Sequence, residues 1–199
     1  MAKEHSEAAE AARCLDEALA GTFPASDPPA MTSPMAATPS ADVVVEASTA
    51  PLRIHRVIEA AQAADPFAPA TGGGRWSPPG KACVYASLSA AGALLEYLAH
   101  CDGPVPEGLL LATAELPAGT TLAECNEPST WRELPYRGEV QQVGADWLGS
   151  GRSLTLRVPS ALVDGEVNVL LDPGHPGFAA LRVQALSPLR VDPRLRSAR

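Results

Sequence analysis

Alternation of apolar and polar residues at the two-residue period of a half-buried strand is the commonest pattern in this chain. Residues 52–58, Leu-Arg-Ile-His-Arg-Val-Ile, alternate apolar with basic positions and predict a first strand with Ile54 turned inward. Residues 82–86 and 108–116 predict two more, the latter closed by Pro117-Ala118-Gly119, and 122–124 a short fourth. Residues 153–159 alternate cleanly and end at Pro159-Ser160. A turn at Asp164-Gly165-Glu166 leads to a strand over 167–171, broken by Asp172-Pro173-Gly174-His175-Pro176, and Leu181-Arg182-Val183 begins another. Helical spacing occurs from a Ser87 or Ser89 cap to about His100, and over 141–148, stopped by Gly149 and Gly151. Strands outnumber helices and several are joined by tight turns. The prediction is an α+β domain over residues 51–195, with a mixed or antiparallel sheet and flanking helices.

The first helix is specific enough to assign faces. Ala91, Leu94, Leu95 and Leu98 share one side at 3.6-residue spacing, which predicts the core side. Glu96 lies nearly opposite with Ser89, Gly92, Ala99 and His100. Geometry leaves two readings open. Glu96 either pairs with His100 on a solvated face, or uses the small residues around it to meet a ligand.

Residues 1–50 behave differently. They hold eight acids against Lys3 and Arg13, and proline, alanine, serine and threonine dominate after Gly21. Such a segment buries too little apolar surface to offset ordering entropy, so a disordered acidic leader is expected, with a short helix over 6–20 and a docking motif at Phe23 as the sharper alternative. A frayed tail is expected over 196–199, within a basic stretch that starts at Arg190. The formal charge of -8 comes mostly from the leader. A near-neutral body has no cationic face for phosphate neutralisation, which argues against direct nucleic-acid binding. No run reaches the roughly 18 apolar residues of a membrane span, and the N-terminus lacks the apolar region of a secretory signal. A cytoplasmic location is expected. The four cysteines show no metal-ligand spacing, so no metal is expected, and Cys83 reads as core filler.

Chemistry concentrates between Thr71 and His100. A glycine run, Gly72-Gly73-Gly74, precedes Arg75-Trp76, and is neither a dinucleotide fingerprint nor a phosphate-binding P-loop. It lets ligand or backbone approach the Arg75 guanidinium. Tyr85 on a strand and Glu96 on the next helix follow. This grouping suits an anionic, ribose-bearing ligand. Arg53 and Arg56 point to opposite faces of the first strand, so one is free to enter a pocket. Ser160 ends a strand, and His175 between prolines reads as structural. No serine sits in a G-x-S-x-G elbow.

Taken in order, these pieces resemble a known family. Arg53-Ile54-His55-Arg56-Val57 is followed by Gly73-Gly74-Arg75-Trp76-Ser77 with Pro79-Gly80, then Val84-Tyr85-Ala86-Ser87 and Ala93-Leu94-Leu95-Glu96. Val158-Pro159-Ser160-Ala161 comes next, and Glu166-x-Asn168-x-Leu170-Leu171-Asp172-Pro173-x-His175-Pro176 closes the series. The series resembles the RES domain family over about residues 52–195. Its name-giving arginine, glutamate and serine would here be Arg75, Glu96 and Ser160, the expected catalytic residues. Ser77 and Asp172 stand where many members carry asparagine.

The resemblance implies a fold similar to ADP-ribosyltransferase toxins and a toxin of a bacterial toxin–antitoxin pair. It implies cleavage of the nicotinamide–ribose bond of NAD+, with water, phosphate or a protein side chain as acceptor. NAD+ is then a substrate, and no cofactor is expected. Glu96 would stabilise charge developing at the ribose carbon or hold the ribose hydroxyls. Arg75 and Arg56 would bind phosphate through their planar forks, Tyr85 would stack on nicotinamide, and Trp76 would join them at the ligand. Ser160 would bond ribose or orient Glu96. The implied partner is an antitoxin with an Xre-type helix-turn-helix domain, in a homodimer or a toxin–antitoxin hetero-oligomer. A fold that has lost turnover and serves as an interaction module is the alternative from another class.

Overall fold

The computed structural model describes residues 51–195. The expectations for the leader, its helix over 6–20 and Phe23, and for the tail 196–199 lie outside the described residues.

Seven strands form one sheet: β1 (Arg53–Ile58), β2 (Val84–Ser87), β3 (Leu110–Glu115), β4 (Ala123–Glu124), β5 (Thr155–Pro159), β6 (Val167–Leu171) and β7 (Arg182–Pro188). Their order is β4-β5-β6-β2-β1-β3-β7. Every pairing is antiparallel except β4 with β5. With the two α-helices found among the described residues, α1 (Ala90–Ala99) and α2 (Gly138–Ser150), this is the expected α+β domain with a mixed sheet.

Register sorts the sheet's two faces. On one, Ile54 and Ile58 of β1, Val84 and Ala86 of β2, Ala112 and Ala114 of β3 and Leu171 of β6 make a wholly apolar cluster with Phe67 and Leu116. Inward Ile54 is as predicted. The other face is divided. Towards β3, Val57 packs with Ala93, Leu109 and Val191, flanked by Leu94, Tyr97 and Leu98 of α1. Towards β5, Leu156, Val158 and Leu170 pack with Trp76, Val140 and Trp147. Val191 is buried there, which anchors the start of the basic stretch to the domain.

α2 is longer than its apolar spacing predicted. It starts at Gly138, with Glu139 in its first turn, and continues through Gly149. Gly151, in the left-handed region at φ +56°, is the terminator, a conformation that side chains with a Cβ rarely adopt. Gly144 sets how closely α2 docks. A Cβ there would collide with the backbone carbonyl oxygen of Trp76, so the helix lies directly on the 74–77 strand of chain. Gln141 Nε2 donates to the Gly74 carbonyl at 2.9 Å from the same side.

Candidate functional site

Between the two apolar patches of the divided face runs a polar row. Asn168 on β6 is opposite Ser87 on β2, Ser87 is opposite His55 on β1, and His55 is opposite Thr113 on β3. Directly opposed residues share a face, so these four side chains line up across neighbouring strands. Ser87 Oγ donates to Asn168 Oδ1 at 2.6 Å, and His55 Nδ1 meets Thr113 Oγ1 at 3.1 Å. Burial, with the nearby Arg53 charge, lowers the His55 pKa from the ordinary imidazole value.

α1 lies over this row. Ser89 caps it, accepting from the Gly92 N–H at 2.9 Å and donating to Glu166 Oε2 at 2.7 Å. Gly92 is buried because it has no side chain to hold the helix off. A Cβ there would stand 2.9 Å from Ser89 Oγ and 3.4 Å from Ser87 Cβ. One turn later Glu96 is drawn inward. Its Oε1 accepts from Ser160 Oγ at 3.0 Å and from Asn168 Nδ2 at 2.6 Å. Ser160 is buried and also accepts from the Leu162 N–H at 3.1 Å. Oε2 of Glu96 accepts no hydrogen bond from the described residues.

The predicted core side of α1 is therefore corrected. Leu94 and Leu98 do pack inward, but Ala91 and Leu95 are exposed, and the Gly92–Glu96 line turns to the sheet. Hydrogen bonds to Ser160 and Asn168 outweigh the small apolar gain of burying Ala91 and Leu95. The Glu96–His100 carboxylate pair is not formed either. His100 Nδ1 meets the backbone oxygen of Glu96 at 2.8 Å, and its Nε2 meets Tyr136 Oη at 3.3 Å.

Arg75 is held by a crossing loop over residues 131–136. Its Nη1 donates to the carbonyls of Trp131 at 2.6 Å and Glu133 at 3.2 Å, and its guanidinium sits 4.9 Å over the Tyr136 ring. Arg132 pairs with Asp164 in the β5–β6 turn. The loop thus ties Arg75 to α1 and to the turn that carries Ser160, without a direct Arg75–Glu96 bond.

Tyr85 holds the glycine-rich segment. Its hydroxyl accepts from the Trp76 N–H at 3.2 Å and shares a 2.9 Å hydrogen bond with Ser77 Oγ. Burial pushes its pKa up to about 12, so it stays protonated. Gly74 is required here, since a Cβ would stand 2.9 Å from the Tyr85 hydroxyl oxygen. The glycine run makes room for Tyr85.

Two expected ligand residues are placed elsewhere. Trp76 is 2% exposed, and its ring packs 5.8 Å from Trp131 in the core. Arg56 faces away from the polar row, because its neighbour His55 occupies the row position on β1. Its Nη1 donates to the carbonyls of Ala68 and Pro66, and burial lowers its pKa. Arg53 is on the row's face and pairs with Glu115 at 3.3 Å. Asp172 and His175 are turn builders that accept from Gly174 and Gly177 N–H. Cys83 is core filler as expected, its thiol pushed up to about 12 by burial.

Ser87, His55 and Asn168 were missed as site residues by sequence reasoning. Two signals were available: all three lie inside the motif series, and Asn168 is a polar side chain within the otherwise apolar run Val167–Leu171. Depressions of about 290 Å³ and 410 Å³ lie around Arg152 and Ser153, and Glu96 lines neither. Among the described residues no helix is long and apolar enough to cross a membrane, and no three His, Cys, Asp or Glu are grouped to hold a metal ion.

The fold and this constellation define a mixed-sheet α+β domain with a carboxylate anchored over a polar row. The sequence matches the RES domain over residues 50–194, and the chain belongs to that family. It is 37% identical over 131 residues to the protein named Toxin Res of Yersinia enterocolitica, covering 63% of this chain and 86% of that one. It is 33% identical over 129 residues to the Prs ADP-ribosylating toxin of Sphingobium sp., covering 62% and 80%. Among solved structures it is similar to one in the M. tuberculosis MbcT–MbcA toxin–antitoxin complex, at 17% identity and a TM-score of 0.47, covering 71% of this chain and 85% of that one.

Proposed function

We propose that this protein is the toxin of a toxin–antitoxin pair and that it consumes NAD+ by breaking the nicotinamide–ribose bond. The observation that carries the reading is the state of the Glu96 carboxylate. One oxygen is pinned by Ser160 and Asn168, while the other is uncommitted among the described residues. A carboxylate fixed in this way is preorganised for positive charge and needs no reorganisation when that charge develops. In the reaction the C–N bond electrons leave with nicotinamide, whose ring nitrogen becomes neutral. The ribose carbon becomes cationic, and water or phosphate adds to it with loss of a proton. Glu96 faces the cationic centre or the ribose hydroxyls beside it. Ser160 orients Glu96. Arg75, with further donors beyond the Nη1 bonds to the loop, is the group for an anionic phosphate. Relatives named as toxins support the biological part of the reading.

The name of the Sphingobium relative favours a second acceptor, a protein side chain. Bond cleavage is the same and only the nucleophile changes. The proposed partner is an Xre-type helix-turn-helix antitoxin. Nicotinamide release by purified protein, with and without phosphate and with labelled NAD+ in the presence and absence of cell lysate proteins, tests all three acceptors. Release stimulated by phosphate indicates phosphorolysis, label on a protein band indicates transfer, and release unaffected by either indicates hydrolysis. Intact NAD+ in every arm would refute the enzymatic reading.

A further inference from the structure

We infer that Asn168 and Ser87 form a positioning relay that sets the orientation of Glu96. The inference rests on the reading of Glu96 as the reacting carboxylate. Its basis is the direction of two short hydrogen bonds. Ser87 Oγ donates to Asn168 Oδ1 at 2.6 Å, and Asn168 Nδ2 donates to Glu96 Oε1 at 2.6 Å. The reverse amide orientation would aim Oδ1 at a carboxylate oxygen, lone pair against lone pair. The acceptor-only carboxylate therefore fixes the amide with its N–H towards Glu96, and the Ser87 hydroxyl holds the amide oxygen on the other side.

Position supports the same conclusion. Asn168 and Ser87 are paired residues on β6 and β2, two inner strands of the sheet, so the relay has a rigid base. Strand propensity disfavours asparagine there, and every other residue of β6 is valine or leucine. The cost of that substitution is offset only by what the amide bonds to. Ser160 supplies the second bond to the same oxygen from the end of β5. Together they fix Oε1 and leave Oε2 towards ligand.

The charged and titratable groups around Glu96 come from every adjoining element. Glu166 lies beside Gly92, one helical turn before Glu96, and His100 lies one turn after. His55 is opposite Ser87 on β1, and Arg132, Asp164 and Tyr136 belong to the crossing loop and the turn it reaches. None donates a hydrogen bond to the Glu96 carboxylate, so the neutral amide and the serine are its only donors among the described residues.

Asn168→Asp keeps the shape but replaces the N–H with an oxygen, which sets lone pair against lone pair at Glu96 Oε1. The test follows nicotinamide release by the full chain, with a thermal melt of each variant and a crystal structure of Asn168→Asp. Asn168→Asp is expected to move the Glu96 carboxylate off its place and to lower kcat about tenfold or more with a smaller change in KM. Ser87→Ala leaves Asn168 in place but removes the donor to its Oδ1, and is expected to lower kcat less. A Glu96 carboxylate that keeps its place in Asn168→Asp would overturn the relay. Parental kcat in Ser87→Ala would remove Ser87 from it, and would decide the matter alone if Asn168→Asp failed to fold. Should Glu96→Gln release nicotinamide at the parental rate, the functional reading fails, while the structure of Asn168→Asp still decides whether Asn168 orients Glu96.

Discussion

The two helices pack on the same face of the sheet by different means. α2 is docked by shape: Gly144 lies against the Trp76 carbonyl, and Val140 and Trp147 fill the patch over Leu156 and Leu170. α1 is docked partly by polarity, since Gly92 and Glu96 turn to the row of Asn168 and Ser87 while Leu95 is left exposed. The apolar interface tolerates no change of volume. The polar one tolerates no unpaired donor or acceptor, and among the described residues no buried side-chain nitrogen or oxygen lacks a partner. The difference teaches where chemistry can reside. A packed apolar contact has no spare valence for a ligand, whereas a carboxylate with one committed oxygen still has one to offer.

Substitutions on each side separate these roles. The largest effect is expected from Glu96→Ala, which should lower nicotinamide release about a hundredfold or more, as for loss of a preorganised electrostatic stabiliser. Its melting temperature, read by calorimetry, should fall less than its activity. Gly144→Ala should do the reverse, because a Cβ meets rigid backbone. A stability loss of about 3 kcal/mol is expected by denaturant titration, at the upper end for overpacking. A Gly144→Ala variant as stable as the parent would show that α2 is not held by close approach.

Tyr85→Phe tests the segment that α2 clamps. It removes the acceptor for the Trp76 N–H and the partner of buried Ser77, and should cost about 1–3 kcal/mol. Arg132→Ala breaks an exposed pair with Asp164 and a guanidinium contact 4.7 Å over the Trp131 ring, so its stability should change by about 1 kcal/mol. The smallest effect concerns pH. His55 has a folded-state pKa below its unfolded value, so the folded protein resists protonation there. Its contribution is present above the ordinary imidazole value of about 6.5 and is lost as pH falls through the folded value. Thermal melts across that interval should show a shallower acid decline in His55→Gln than in the parent.

Much of this comparison was legible from residues alone. Strand alternation at 52–58 and 153–159, a cap at Ser87 or Ser89 and a stop at Gly149 and Gly151 are local signals, set by side-chain period and backbone conformation, and the structure takes Ser89 and Gly151. The order of their motifs singled out Arg75, Glu96 and Ser160, of which the structure brings Glu96 and Ser160 into contact. The rotation of α1 was not legible, because Ala91 and Leu95 look as apolar as Leu94 and Leu98 until Asn168, 72 residues away, claims Glu96. Arg56 could be read as one of two opposite faces, and only pairing of His55 with Ser87 showed which face it takes.

The sequence by itself determined an α+β domain of many short strands, the helix that bears Glu96, and the family to which both belong. Period and capping act over a few residues, and one chain carries them in full. Tertiary structure alone decided that Ser87, His55 and Asn168 form one row, that Trp76 is core, and that one oxygen of Glu96 is pinned. Those facts depend on strand register, and register is a relation between segments that no local pattern contains.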